Sequence, residues 1–473
     1  MKIPRIMIAA PASGSGKTTV TCAILSLLKE MGQKPVAFKC GPDYIDPMFH
    51  QTVLQTPSHN LDIFLCGRGN VGRQWIQHLL VTYGKDTDIA ILEGAMGYYD
   101  GMGTTWENSA YDIAKTTDTP VILVLNGKGA AISLAAQLHG FQTFQPDSHI
   151  AGFIVNNVKK GVYQYFKEAI EDVTGLKGLG YVPPLPEGAL PSRHLGLVTA
   201  AEIPDIQQKI ALLRDTIKET VDIQAIQEIA ATAPDIEDSF LTPPMALGQV
   251  TEDVTIAVAR DEAFCFYYEA SLHILQALGA NLVFFSPLHD DQLPPCQGLY
   301  LGGGYPELHS LDLARNVSIR DNIRNALAQN IPCIAECGGF MYLQEGFIDG
   351  DTMYPWVGTL PGMTHMTKSL TRFGYVTMTA EGENAFLQKG QHIHGHEFHY
   401  SDSTQNGDAF LIEKPTGKRR WQGGYAQGNL LAGYPHIHFC GCPDVAARFI
   451  QACKRWNDIG RTYENRTHFT TRH

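Results

Sequence analysis

"RIMIAAPASGSGKTTVTCAILSLLKEMG", residues 5–32, decides how the first half of the chain folds. A short apolar run ends on a loop of small residues, and a helix-forming stretch starts at Lys17. Strand, small-residue loop and helix in that order make a phosphate loop, in which backbone N–H groups and the helix N-terminus cradle an anion. Ser13, Gly14, Ser15 and Gly16 are expected to line the cradle. Lys17 is expected to reach the β- and γ-phosphates of ATP, and the Thr18 hydroxyl to ligate Mg²⁺. The loop departs from GxxxxGK[ST] at one place, where Pro11 stands for the first glycine.

Further strand-like runs follow this unit: "PVAFKC", "DIAILEGAM", "PVILVLN" and "IAGFIVNNV", with helical stretches between them. Short buried strands alternating with helices predict βαβ units and a mostly parallel sheet. The carboxyl ends of such strands converge on one crevice, where ligands bind. "KCGPDYIDPMFH" (39–50) brings Lys39, Asp43 and Asp46 to that edge, and "LEGAMGYYDG" (92–101) brings Glu93 and Asp100. Lys39 joins the nucleotide-binding set, while Asp46 and Glu93 join Thr18 as candidates to hold Mg²⁺ or orient a nucleophile. Helix capping by Asp43 or Asp46 is the competing reading. Asn156 and Asn157 end another strand on the same edge, where they can read a nucleobase or shape a turn.

The 473 residues carry a formal charge of -12, with 44% hydrophobic and 18% charged residues. That composition fits two or three globular domains and argues against nucleic acid as the main partner. No apolar run is long enough to span a membrane, and ten scattered cysteines read as reduced thiols, so a cytoplasmic protein is expected. Composition leaves an oligomer open.

The second half repeats the strand–helix alternation from "VTIAVARD" onward, and residues 355–435 are richer in strand. Within it, "IPCIAECGGFMYL" (331–343) ends an apolar run on Cys337 and starts a helix on two glycines. A buried cysteine in an ordinary turn is one reading; a nucleophile at the top of a strand is the other. "GLYLGGGYPELH" (298–309) supplies a glycine loop, in which Gly303 and Gly304 can offer backbone N–H groups to an oxyanion. "GYPHIHF" (433–439) supplies His436 and His438. Thiol, glycine loop and imidazole are the parts of thiol acyl transfer. The run "HIHGHEFH" (392–399) raises a metal cluster as an alternative, without the spacing that would support it.

The motifs "ASGSGKTT", "CGPDYIDP", "EGAMGYYDG", "VARDEAFCFYY", "GGGYPE", "ECGGFMYL", "GHEFHY" and "YPHIHF" together resemble those of the cobyrinic acid a,c-diamide synthases over nearly the whole chain. The resemblance implies an α/β protein with a dethiobiotin-synthetase-like P-loop domain and a class I glutamine amidotransferase-like domain. It further implies that Cys337 takes the γ-glutamyl group of glutamine and releases ammonia. ATP then phosphorylates the a- and c-acetate carboxylates of cobyrinic acid, the tetrapyrrole partner. Asp46 and Glu93 belong to the synthetase chemistry, whereas Asp43 and Asp100 are expected to position the tetrapyrrole. Nickel-sirohydrochlorin a,c-diamide synthases resemble the chain in the same motifs and differ in the macrocycle. The usual His-Pro-Glu of amidotransferases is replaced by "HIHF", so a Cys–His dyad is expected, with His436 a better match to Y-x-H than His438. The predicted boundaries are 1–230 for the ATP-binding domain, 231–252 for a linker, 253–457 for the amidotransferase domain and 458–473 for a loose tail.

Overall fold

Strand β1 (Arg5–Ala9) is buried along its whole length, as a strand covered by helices on both sheet faces must be. Around it a computed structural model describes residues 1–186, 188, 203–238 and 254–469. β2 (Pro35–Cys40), β3 (Ser58–Leu61), β4 (Ile89–Glu93), β5 (Val121–Asn126), β6 (Ile150–Asn156) and β7 (Lys177–Val182) complete one sheet. Its order is β3-β2-β4-β1-β5-β6-β7, and every pairing is parallel. Helices α1 (Lys17–Glu30) and α2 (Ile45–Thr52) leave the ends of β1 and β2. The sequence predicts helix over 201–230; the structure divides it into Ile203–Thr220 and Ile223–Thr232. Val221, between them, bridges to Gly180 of β7. Ile206, Ile210, Leu213 and Ile217 of the first of these helices share a core with Val20, Ile24 and Leu28 of α1.

The second unit centres on β8 (Val254–Ala259), β9 (Ala280–Phe285), β10 (Gly298–Leu301) and β11 (Cys333–Glu336). Its main sheet runs Tyr425–Gln427, Leu430–Gly433, β11, β10, β8, β9, parallel except at the Tyr425–Gln427 edge. An antiparallel sheet joins Arg420–Gly423, Phe410–Glu413, Arg372–Ala380, His392–His399 and His436–Ile437.

The boundaries differ from expectation in two places. Phe64–Gly67, early in the chain, groups with the second unit. The closing helix runs from Pro443 through Phe469, so the predicted loose tail continues it as far as 469. The predicted linker lies outside the described residues from 239 onward. Among the described residues, no helix is long and apolar enough to cross a membrane.

Candidate functional site

In the first unit the loop after β1 turns through two left-handed glycines, Gly14 (φ 77°) and Gly16 (φ 98°). No positive φ falls at position 11, so Pro11 meets no conformation that only glycine tolerates. Gly16 is also fixed sterically, since a Cβ there would lie 2.1 Å from Nδ2 of Asn156. That amide donates to the Ser15 carbonyl at 2.9 Å. Asn156 therefore braces the loop from the end of β6. Asn157 instead turns the chain, with φ 59°. Lys17 lies over the loop and donates to the carbonyls of Ala12 (3.2 Å) and Met96 (2.5 Å). Burial and the nearby Lys39 charge push the Lys17 ammonium down to about 8, and an anionic phosphate beside it would raise it again.

Parallel register builds the acidic part of this site. Lys39 of β2 and Ile8 of β1 both stand opposite Glu93 of β4, which brings three strand ends together. Thr18 Oγ1 donates to Glu93 Oε1 at 2.6 Å and lies 3.5 Å from Asp46 Oδ2. Lys39 Nζ pairs with Asp46 and, at 2.9 Å, with Glu93. Burial opposes the Lys39 charge, but the two carboxylates outweigh it and raise its pKa. Burial likewise opposes the Glu93 charge, yet Lys39, His50 and Thr18 hold its carboxyl low. Asp46 is pushed up, by burial first and then by Glu93. Two carboxylates and a hydroxyl form an all-oxygen donor set of the kind Mg²⁺ takes, and the cation beside them is Lys39 itself. Lys39, expected to contact nucleotide, pairs with both carboxylates.

The other two acids shape their own loops. Asp43 Oδ1 accepts from the Ile45 N–H at 2.8 Å, two residues on, just ahead of the Tyr44 N-cap of α2. Asp100 is exposed and accepts from the Gly97 N–H at 2.9 Å. Sequence reasoning missed His50, which lies fully buried with Nε2 3.5 Å from Glu93 Oε2. Its signal was present: it stands four residues after Asp46, on the same face of α2.

In the second unit Cys337 sits at φ 47°, ψ -105°, between β11 and the Gly338–Leu343 helix. A non-glycine residue in that region marks a sharp, strained turn. The glycine loop after β10 passes this corner: Gly304 N lies 3.1 Å from where a Cβ on Gly338 would stand. Gly303 lies against the His436 ring, since a Cβ on it would fall 2.4 Å from Cε1. Phe266 bridges to Gly303, and Tyr267 Oη accepts from the Gly302 N–H at 2.8 Å. The "VARDEAFCFYY" segment therefore supports the glycine loop.

The structure separates the two histidines. His436 is buried beside the Cys337 thiol. Burial works against its charge, but Cys337 and Glu336 win and push it up to about 10. His438 turns to Cys66 and Cys440, whose ligand atoms lie with its own within 4.8 Å. Its Nδ1 accepts from the Cys440 N–H at 3.1 Å, so that lone pair is already engaged. The histidines of "HIHGHEFH" form no metal cluster among the described residues; they are strung along one strand (His392–His399). Glu336, which the sequence reading passed over, is buried with Oε2 3.6 Å from His436 Nδ1. Adjacent residues of a strand point to opposite faces, so nothing in the linear pattern placed it beside that ring.

Residues 6–198 match the CobQ/CobB/MinD/ParA nucleotide binding domain. Residues 255–442 match the CobB/CobQ-like glutamine amidotransferase domain. The chain is 39% identical to a cobyrinate a,c-diamide synthase of Listeria innocua, over 95% of this chain and 100% of the relative. It is 40% identical to one of Thermoplasma volcanium, over 97% and 99%. For one of Salmonella typhimurium the identity is 38%, over 95% and 98%.

Proposed function

We propose that the chain, which belongs to the cobyrinate a,c-diamide synthase family, amidates the a- and c-acetate carboxylates of cobyrinic acid in the cytoplasm. The near-end-to-end likeness to synthases of that name carries this reading. It also favours cobyrinic acid over nickel-sirohydrochlorin.

In the second unit the Cys337 thiolate attacks the γ-carbonyl of glutamine, and the oxyanion faces the N–H groups of Gly303 and Gly304. The His436 imidazolium gives its proton to the leaving nitrogen, and ammonia departs. Water then cleaves the thioester, with His436 taking its proton, to release glutamate and restore the thiolate. In the first unit the substrate carboxylate attacks the γ-phosphorus of ATP, and ADP leaves. Ammonia displaces phosphate from the acyl phosphate, and a second round gives the diamide. Lys17 and the loop of residues 13–16 orient the phosphates. Thr18, Asp46 and Glu93 would hold Mg²⁺, which when bound neutralises phosphate charge. Asp43 and Asp100 fix the loops that receive the tetrapyrrole.

The test is incubation with cobyrinic acid, ATP, Mg²⁺ and glutamine, counting amides by mass spectrometry. Two amides are expected. No gain on cobyrinic acid, with two on nickel-sirohydrochlorin, overturns the choice of macrocycle.

A further inference from the structure

We propose that Glu336 is the positioning residue of the glutamine site, fixing the tautomer and orientation of His436 from the Nδ1 side and stabilising its imidazolium. The acid that completes such a site by sequence pattern would stand two residues after the histidine, and there the chain has His438. Glu336 reaches the ring from another direction. It ends β11, immediately before the nucleophile, and is 3% exposed. Its Oε2 lies 3.6 Å from His436 Nδ1, while its Oε1 accepts from Tyr300 Oη at 3.1 Å. A carboxylate is costly to bury unless it is paired, and these two contacts are its pairing.

One residue cannot ordinarily serve the same ring as its neighbour, because strand side chains alternate in direction. The left-handed corner at Cys337 (φ 47°) breaks the alternation. Thiol and carboxylate therefore meet one imidazole from consecutive positions, and both favour its charge. His396, its register partner on the adjacent strand, is a further titratable neighbour of His436. Burial and the His436 charge hold His396 down to about 3, so it stays neutral. Cys337 and Glu336 are then what hold the ring's charge against burial. A neutral amide at 336 cannot stabilise the imidazolium, and the thiolate it supports is lost with it.

This inference rests on the glutamine-hydrolysing reading of the unit, and the test separates the two. Alkylation of Cys337 by iodoacetamide, followed peptide by peptide by mass spectrometry across pH, needs no glutamine. Glu336→Gln should raise the pH midpoint of Cys337 alkylation by about one unit or more. It should lower glutaminase kcat by about 10²-fold with KM nearly unchanged. Ammonia-dependent diamide synthesis should persist. Glu336→Asp keeps the charge one methylene further back, and should fall between wild type and the amide in both readouts. It also carries the test if the amide variant fails to fold. An alkylation midpoint that does not move in either variant overturns the proposal. An unaltered enzyme without glutaminase activity overturns the glutamine reading instead, leaving the alkylation result to stand on its own.

Discussion

Replacing Gly303 with alanine should disable glutamine use and spare the rest of the chemistry. An ideal Cβ at this position falls 2.4 Å from His436 Cε1, with Nδ1 at 3.3 Å and Nε2 at 3.4 Å. Ordinary van der Waals contact begins at 3.4 Å, so about 1 Å must be found somewhere. The backbone adds nothing to the conflict, because Gly303 is not among the positive-φ glycines. Nor does alanine delete the N–H offered to an oxyanion. The imidazole is confined by Glu336 on its Nδ1 side and by strand pairing of its backbone with His396, so the displacement falls on the geometry between ring and thiol. A misplacement of about 1 Å is worth about 10²-fold in rate. Overpacking of this kind costs about 1–3 kcal/mol, against a typical domain stability of about 5–15 kcal/mol, so the variant should fold. The assays are glutamate release, ammonia-dependent diamide formation and thermal unfolding. A folded Gly303→Ala enzyme with glutaminase within about threefold of wild type would refute the placement of His436 and its role as proton carrier.

The remaining variants divide the two sites. Cys337→Ser should abolish glutamine-dependent synthesis and leave ammonia-dependent synthesis largely intact; equal loss with both nitrogen sources counts against two separate chemistries. Lys17→Ala should lose synthesis from either source while glutaminase persists, and normal ATP turnover would dismiss the phosphate-loop role. His436→Ala should cost about 10²–10⁴-fold in glutaminase, whereas His438→Ala, in the Cys66–Cys440 cluster, should show mainly in thermal stability; the opposite ranking moves the role. Asp46→Asn and Glu93→Gln should each stop synthesis and also destabilise the fold by about 3 kcal/mol, because each leaves the buried Lys39 ammonium one carboxylate short.

Much of this was legible wherever chemistry follows from strand ends. β2 is the predicted run "PVAFKC" residue for residue, and Lys39, Asp46 and Glu93 meet because parallel strands deliver their carboxyl ends to one edge. Two strands of the same sheet were not legible. β3 is "SHNL", polar by composition yet buried throughout. Its Asn60 donates to the carbonyls of Gly41 and Asp43, so its polarity is spent on shaping the loop after β2. β7 is "KGLGYV", where a register shift against β6 and Gly180 at φ 139° interrupt any alternation. The pairing of Lys39 with two buried carboxylates is likewise a matter of distances, which no linear pattern states.

Both sites depend on a left-handed corner between a strand and a helix, and the residue chosen for each corner follows from what must be presented there. In the first unit the corner is Gly16, where glycine carries no penalty and leaves bare N–H groups for an anion. In the second the corner must carry a thiol, so a side chain enters a region that costs about 1–3 kcal/mol. What offsets that cost is visible around it. Cys337 N donates to the Gly433 carbonyl at 2.8 Å, and its own carbonyl accepts from Met341 N at 2.8 Å. The following glycines cannot be enlarged: a Cβ at Gly339 would lie 2.2 Å from the Leu301 carbonyl oxygen. The "CGG" motif is therefore a statement about space. The glycines let the helix press against β10, and that pressure holds the cysteine in the conformation its chemistry needs.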